Sequence, residues 1–360
     1  MAIEVPESKS TVTVKIVDTG CRVHLPPSRF VTPSIAGHDD LACPAYSFFI
    51  ENESLGRKII FDLGVKKDWE ELPGPLLDNM KGAGLQIDRG RDVYEVLEES
   101  NIDLRSIEAL IWSHHHFDHT GTPSHFPSTS VLVVGQGFKK EYIPGFPTNE
   151  KSSLLEKEYI GRDMREVNFD TESNGLEIGG MQAVDYFGDG SFYLLDSPGH
   201  AVGHMCGLAR TTASPQSFIM MGADTAHHGG EYRPSSDMPL PDVLDPSPFG
   251  LDSPLNSKPG VCPGSLFVNQ VHPHHSPTRP FYSLAPKGPS HDLVEAEASI
   301  EKMQRFDADD RVFVVIAHDT TLLDVLGFWP SLANEWQAKG WKEKGRWKFL
   351  EDFREAFKTT

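Results

Sequence analysis

The sequence predicts a mixed α/β fold, because short apolar runs of strand length alternate with segments of helical spacing and no internal repeat interrupts them. At 360 residues the chain is long enough to bury a large core and fits a single domain over 1–360 that carries an insertion. Residues 11–17 alternate apolar and polar, as a half-buried strand does. Residues 45–50 and 58–61 read as a hairpin turning around Asn52-Glu53, and residues 91–98 have helical spacing. The run Ala109-Leu110-Ile111-Trp112 is a buried strand, and 191–196 is another, closed by the tight turn Ser197-Pro198-Gly199-His200. Residues 217–223 are an apolar strand, 292–306 are helical, and 311–317 form the most strand-like run of all. From Trp329 to Thr360, Trp, Lys and Glu at helical spacing predict one or two packing helices.

Composition narrows the partners. Lys+Arg 33 against Asp+Glu 52 gives a formal net charge of -19, which repels nucleic acid and anionic membranes. The first residues are polar and lack the apolar segment of a secretory leader, and no run approaches the roughly 20 apolar residues of a membrane helix. Cys21, Cys43, Cys206 and Cys262 show no C-x-x-C spacing, so they are expected to be reduced and buried in a cytoplasmic protein.

The chemistry is concentrated in His114-x-His116-x-Asp118-His119, directly after the 109–112 strand. A strand continuing through His114 and His116 would point both imidazoles to one side, since side chains alternate with period two. A turn at Asp118 and His119 would bring a carboxylate and a further nitrogen back to the same space. One short segment would then feed two metal ions, which still need ligands from other strand ends. Three such ends offer them: His200 after 191–196, Asp224 after 217–223, where a carboxylate can bridge two cations, and His318 after 311–317. His115 alternates away from its neighbours, and His204 is expected to support His200. The group His272, His274 and His275 lacks partner ligands at a known spacing and reads as loop surface.

Taken together, Ile59-Ile60-Phe61-Asp62-Leu63-Gly64, the His114 to His119 motif, Pro198-Gly199-His200 with Gly203-His204, Asp224 and His318 make the chain resemble the metallo-β-lactamase superfamily of metal-dependent hydrolases, from about residue 12 to about 320. The resemblance implies a four-layer αβ/βα sandwich, two sheets face to face with helices on both outer sides. It also implies that His114, His116 and His200 hold one metal, that Asp118, His119 and His318 hold the other, and that Asp224 bridges them. Two Zn2+ ions suit this mostly imidazole set, with iron or manganese as alternatives. A water between two cations becomes a competent nucleophile near neutral pH, with Asp118 orienting it and passing its proton to the leaving group.

Particular residues separate the branches of that superfamily. The best-known class B β-lactamases carry cysteine at the place of Asp224, flavodiiron proteins generally carry glutamate at the place of His116, and nucleic-acid-processing members add a second domain or a basic exosite. The lactonase-like branch matches best. There the third residue after the bridging aspartate is commonly a tyrosine that contacts the substrate carbonyl; here it is His227, which is assigned the same oxyanion, with Tyr232 as a further substrate-binding candidate. The expected function is ring opening of a small lactam or lactone, similar to fungal γ-lactamases that detoxify benzoxazolinone-type plant compounds. The competing readings are an acyl-thioester hydrolase, a phosphodiesterase and a non-enzymatic binding module derived from a hydrolase.

One segment departs from this background. Residues 233–290 carry roughly half of the 27 prolines, which disfavours regular helices and central strands. Phe249, Leu251, Leu266, Phe267, Val268 and Phe281 give it apolar contacts, so the expectation is an ordered insertion folded over the metal site as a lid, against the alternative of a disordered surface loop.

Overall fold

The computed structural model describes residues 2–357 and places two six-stranded sheets face to face. The first runs in the order Thr13–Val17, Ser47–Asn52, Arg57–Phe61, Ile107–Ile111, Val131–Val134, Met164–Glu166. Its first three strands pair antiparallel and the rest parallel. The second is an antiparallel meander, Glu177–Ile178, Met181–Asp185, Phe192–Asp196, Met205–Ala213 and Gln216–Ala223, to which Val312–Ile316 adds in parallel.

Strand alternation explains the layers. Phe48, Ile50, Ile59, Phe61 and Ile111 face inward, against Leu194, Ile219, Met221, Phe313 and Val315 of the opposite sheet. Their neighbours one residue along, Phe49, Ile60 and Leu110, face outward and are covered by Val93, Val96 and Leu97 of the Val93–Glu99 helix. On the far side Leu195, Leu208, Met220 and Val314 meet Ala296, Ile300, Met303 and Phe306 at helical spacing on the Leu293–Ala308 helix. Asp292 starts that helix by accepting the Val294 and Glu295 N–H groups at 2.9 and 3.0 Å. Burial of each such side chain stabilises by about 1.5–3 kcal/mol, and the result is the αβ/βα sandwich.

The proline-rich segment folds mainly against the chain's last described residues. Its Phe249, Phe267 and Phe281 form a satellite core with Phe349, Leu350 and Phe353 of the Lys348–Phe357 3-10 helix. Its Ser283 and Leu284 pair with Thr32 and Val31, tying it to the chain's early loop. It also contains a regular helix, Gly264–Gln270, which the proline content disfavours; Pro263 stands at the N-cap, where its missing N–H costs nothing. His272 is buried, not surface, and its Nε2 donates to the Arg279 carbonyl at 2.6 Å. The C-terminal helices expected over 329–360 are the short Trp341–Gly345 helix and the 3-10 helix; residues 358–360 lie outside the described residues. Among the described residues no helix is long and apolar enough to cross a membrane. The cysteines are buried and unpaired.

Candidate metal centre

Strand register gathers the site at one edge of the sandwich. Phe61 pairs parallel with Ile111, so Asp62 and the residues after Trp112 leave the first sheet side by side. Ala223 pairs parallel with Ile316, which does the same for Asp224 and His318 in the second. The Met205 N–H to Ser113 carbonyl hydrogen bond, 3.0 Å, joins the two sheets at this edge.

The strand itself stops at Ile111, short of the histidines. His114 and His115 lie in a bend, and His116 is the N-cap of the one-turn helix Phe117–Thr120, which carries Asp118 and His119. The turn, not strand alternation, brings His114 and His116 together, with ring centroids 4.5 Å apart. His115 faces away and stacks on Tyr142 at 3.9 Å.

Gly199 makes the second turn. Its φ is +115°, and a Cβ there would stand 2.0 Å from the Ala296 nitrogen of the outer helix. Asp292 N–H and His291 N–H bond the Gly199 and His200 carbonyls at 2.8 and 3.0 Å, fixing His200 over the site. Ala223, immediately before Asp224, holds φ +42° next to a bulge, a conformation costly for a non-glycine residue and of the kind found where a functional side chain is aimed.

Asp224 organises the centre. Its Oδ1 lies 2.9 Å from His119 Nε2 and 3.0 Å from His318 Nε2, and its Oδ2 lies 3.3 Å from His200 Nε2 and 3.6 Å from His114 Nε2. His116 Nδ1 faces His200 Nε2 at 3.0 Å, and Asp118 Oδ2 is 3.6 Å from His318 Nε2. Two ligand sets result, His114, His116, His200 with Asp224, and Asp118, His119, His318. Buried His114 Nε2, His119 Nε2 and Asp224 Oδ1 have no hydrogen-bond partner although they converge. Converging, unpartnered donor atoms of this kind are what a cation would bind, and the residues present fit two ions sharing Asp224.

Charge follows burial. Burial holds the His114 and His200 imidazolium forms well below the ordinary histidine range and brings His116 down to about 3, leaving the neutral rings that metals bind. Burial opposes charge on His119 too, but Asp224 and Asp62 overcome it and hold its pKa well above the usual value. Asp224, though buried, is held well below the usual carboxylate range by His119 and His318.

A surrounding layer orients the ligands. Asp62, at φ +58°, accepts from His119 Nδ1 at 2.8 Å and from the Ser113 N–H and hydroxyl at 2.7 and 2.8 Å. His318 Nδ1 donates to the Pro44 carbonyl at 2.7 Å. Each contact leaves Nε2 aimed at Asp224. Asp62 lies in the Ile59–Gly64 motif, where a carboxylate ending a strand parallel to the histidine strand is the only sequence signal for this role. His204 supports Asp224 and not His200, since its Nε2 accepts the Asp224 N–H at 3.2 Å while Nδ1 donates to the Ser197 carbonyl at 2.8 Å.

His227 is brought to the centre, with Nε2 3.4 Å from Asp224 Oδ2, both ring nitrogens buried and without hydrogen bonds. Tyr232 is not. It is 1% exposed and packs in the apolar layer under the Leu293–Ala308 helix, because the 3-10 turn Gly229–Glu231 sends the chain away from the site. A third convergence, His38, His228 and Asp352, has a hydrogen-bonded explanation: His228 Nδ1 accepts the Gly230 N–H at 2.9 Å, so its Nε2 carries the proton donated to Asp352 at 3.1 Å.

A cavity of about 160 Å³ opens onto the centre, with His116, Asp118 and Asp224 among its lining. Its apolar walls are Leu25, Phe30, Leu76, Met80, Leu85 and Phe117. The proline-rich insertion contributes only Pro289, so the enclosure expected of it comes instead from the early loop and from the Gly74–Gly82 helix with the residues that follow it.

The Metallo-beta-lactamase superfamily model matches residues 41–210. "Gamma-lactamase FDB1" of Fusarium pseudograminearum is 46% identical over 357 residues, covering 98% of this chain and 84% of the relative. "Metallo-hydrolase mfmC" of Annulohypoxylon moriforme is 43% identical over 360 residues, covering 99% and 91%. Among solved structures, a mutant of B. thuringiensis AiiA with N-decanoyl-L-homoserine bound at the active site aligns with TM-score 0.57 at 14% identity, over 90% of this chain and 99% of that one. With relatives above 40% identity across nearly all of this chain and a sandwich whose strand ends converge on a shared aspartate, the chain belongs to the metallo-β-lactamase superfamily.

Proposed function

We propose that the protein is a dinuclear zinc hydrolase that opens the ring of a small cyclic amide or ester. The observation that carries this reading is the division of Asp224, one oxygen toward His119 and His318 and the other toward His114 and His200, on the floor of a small, apolar-walled cavity. Two divalent cations, when bound, supply the acidity that makes water nucleophilic near neutral pH and polarise a carbonyl. His114, His116 and His200 would hold one, Asp118, His119 and His318 the other, with Asp224 shared.

The chain's own groups do the rest. Asp118, with a side chain 14% exposed, lines the cavity, where it orients the attacking water and returns its proton to the departing nitrogen or oxygen. His227, wedged between Phe30 and His318, presents Nε2 on the Asp224 Oδ2 side to steady the carbonyl oxygen. The size and apolar walls of the cavity favour a small flat ring over a polymer. A benzoxazolinone-type lactam has that shape, and the 46% identity to a protein named a γ-lactamase supports opening of a lactam ring, with detoxification of such a compound as the role we assign. Unpaired cysteines support a reducing, cytoplasmic setting.

Zinc-loaded enzyme assayed against a panel of lactams, lactones, acyl-thioesters and phosphodiesters tests the proposal. Turnover of a lactam or lactone is expected. Turnover confined to thioesters or phosphodiesters would replace it with another hydrolase reading.

A further inference from the structure

Arg29 is the one cationic side chain on the wall of the cavity beside the metal centre. The chain as a whole has an excess of acid, Asp+Glu 52 against Lys+Arg 33, and its guanidinium groups are mostly claimed. Arg22 reaches Asp18 at 2.8 Å, Arg57 reaches Glu108 at 2.7 Å, Arg311 reaches Asp309 at 2.7 Å, and Arg233 reaches Asp307 at 2.6 Å in the core. The Arg29 side chain makes no hydrogen bond or ion pair among the described residues, although it sits where the cavity meets solvent.

Its place is set by the backbone. Arg29 ends the 3-10 turn Pro27–Arg29, its N–H bonds the Pro26 carbonyl at 3.0 Å, and the Phe30 carbonyl next to it accepts the Ala285 N–H at 2.7 Å. The carboxylates on the same wall, Asp118 and Asp224, belong to the two ligand sets at the cavity floor. Between floor and Arg29 the lining is apolar apart from Asn79. Such a cavity has two polar ends, the His116, Asp118 and Asp224 side chains at one and the Arg29 guanidinium at the other.

We propose that Arg29 is a specificity-determining residue that binds a carboxylate at the end of the substrate away from the scissile bond. The substrate class is then a lactam or lactone bearing a free carboxylate, so a benzoxazolinone-type ring fits it only with a carboxylate substituent. This rests on the ring-opening reading above. A planar guanidinium with no partner of its own matches a carboxylate through two parallel N–H donors, and a single arginine with no lysine in the cavity lining suits one negative charge. Water reaches Arg29, so the contact is weakened by salt.

The experiment uses the zinc-loaded full chain and two lactams, and two lactones, matched in ring and differing only in a carboxylate. Binding is measured by calorimetry and turnover by product formation, for the wild type, Arg29→Gln and Arg29→Glu, with metal content checked in each. Arg29→Gln is expected to weaken binding of the carboxylate-bearing compounds about tenfold, through Kd and KM and not kcat, and to leave the neutral ones within about twofold. Arg29→Glu should make the neutral compounds preferred, and rising salt should shrink the wild-type preference. Equal changes for both members of a pair, or no change in either, overturn the proposal. If the wild type turns over none of them while binding stays dependent on Arg29, the hydrolase reading falls and the carboxylate site stands.

Discussion

The ring of Phe30 lies parallel to that of His227, with centroids 3.9 Å apart and planes inclined by 11°. On its other side His227 stacks on His318 at 5.7 Å. With no hydrogen bond at either nitrogen, and Asp224 and Glu231 at 3.4 and 4.0 Å, the ring takes its orientation toward Asp224 in large part from the flat contact with Phe30. Phe30→Leu is expected to lower kcat about tenfold while zinc content stays at wild-type level, and His227→Phe to lower it at least as far. The double variant should be no slower than His227→Phe. Fully additive losses would show that Phe30 acts on something other than that ring.

Asp62 holds the His119 tautomer through a 2.8 Å bond to Nδ1. Asp62→Asn should cost about 10–100-fold in affinity for the second metal, read by competition with a chelator. Asp224→Ala should abolish turnover together with metal retention. Unaltered zinc affinity in Asp62→Asn would remove it from the centre.

At Gly199, alanine would bring a Cβ to 2.0 Å from the Ala296 nitrogen and would have to adopt φ +115°. Gly199→Ala is expected to destabilise by about 3 kcal/mol or more, seen as a lower midpoint in denaturant, because neither the turn nor the helix start can yield without breaking the bonds between them. A midpoint unchanged from wild type would contradict the close packing at this turn.

Burial raises the Asp196 carboxyl to about 6. The unfolded chain, with its pKa near 3.9, releases this proton first as pH rises, so stability falls between about pH 4 and pH 6 and stays reduced above that. Asp196→Asn should therefore exceed the wild type by about 1–2 kcal/mol at pH 7, after allowance for partial exposure, and the difference should vanish near pH 4. Denaturant midpoints of both proteins across this range decide it; a constant difference would point to packing instead of charge.

The convergence of these residues was legible because each sits at a place that local pattern marks: His114 to His119 in one motif, and His200, Asp224 and His318 each just past an apolar strand. The sheets were legible for the same reason, alternation such as Phe48, Phe49, Ile50 naming the inner and outer faces. What escaped depends on contacts between distant segments. Leu25, Phe30 and Met80 wall one cavity only after the early loop and the Gly74–Gly82 helix have docked, and nothing in their own neighbourhoods marks them. Tyr232 and His227 stand close together in sequence, yet the turn at Gly229–Glu231 separates core from site. The role given to His204 missed for a similar reason, since its partner is the Asp224 N–H of another strand's end.

The satellite cluster of Phe281, Phe349 and Phe353, with the Ser283–Thr32 pairing, has its own consequence. It makes the far end of the chain a foundation for the substrate entrance while the reacting groups rest on the sheets. Phe30, which packs on this cluster and stacks on His227, carries that support from the entrance to one reacting group. Mutational drift in residues 348–357 would therefore be felt at the entrance and, through Phe30, at His227, while Asp224 and His318 stay where the strand ends hold them.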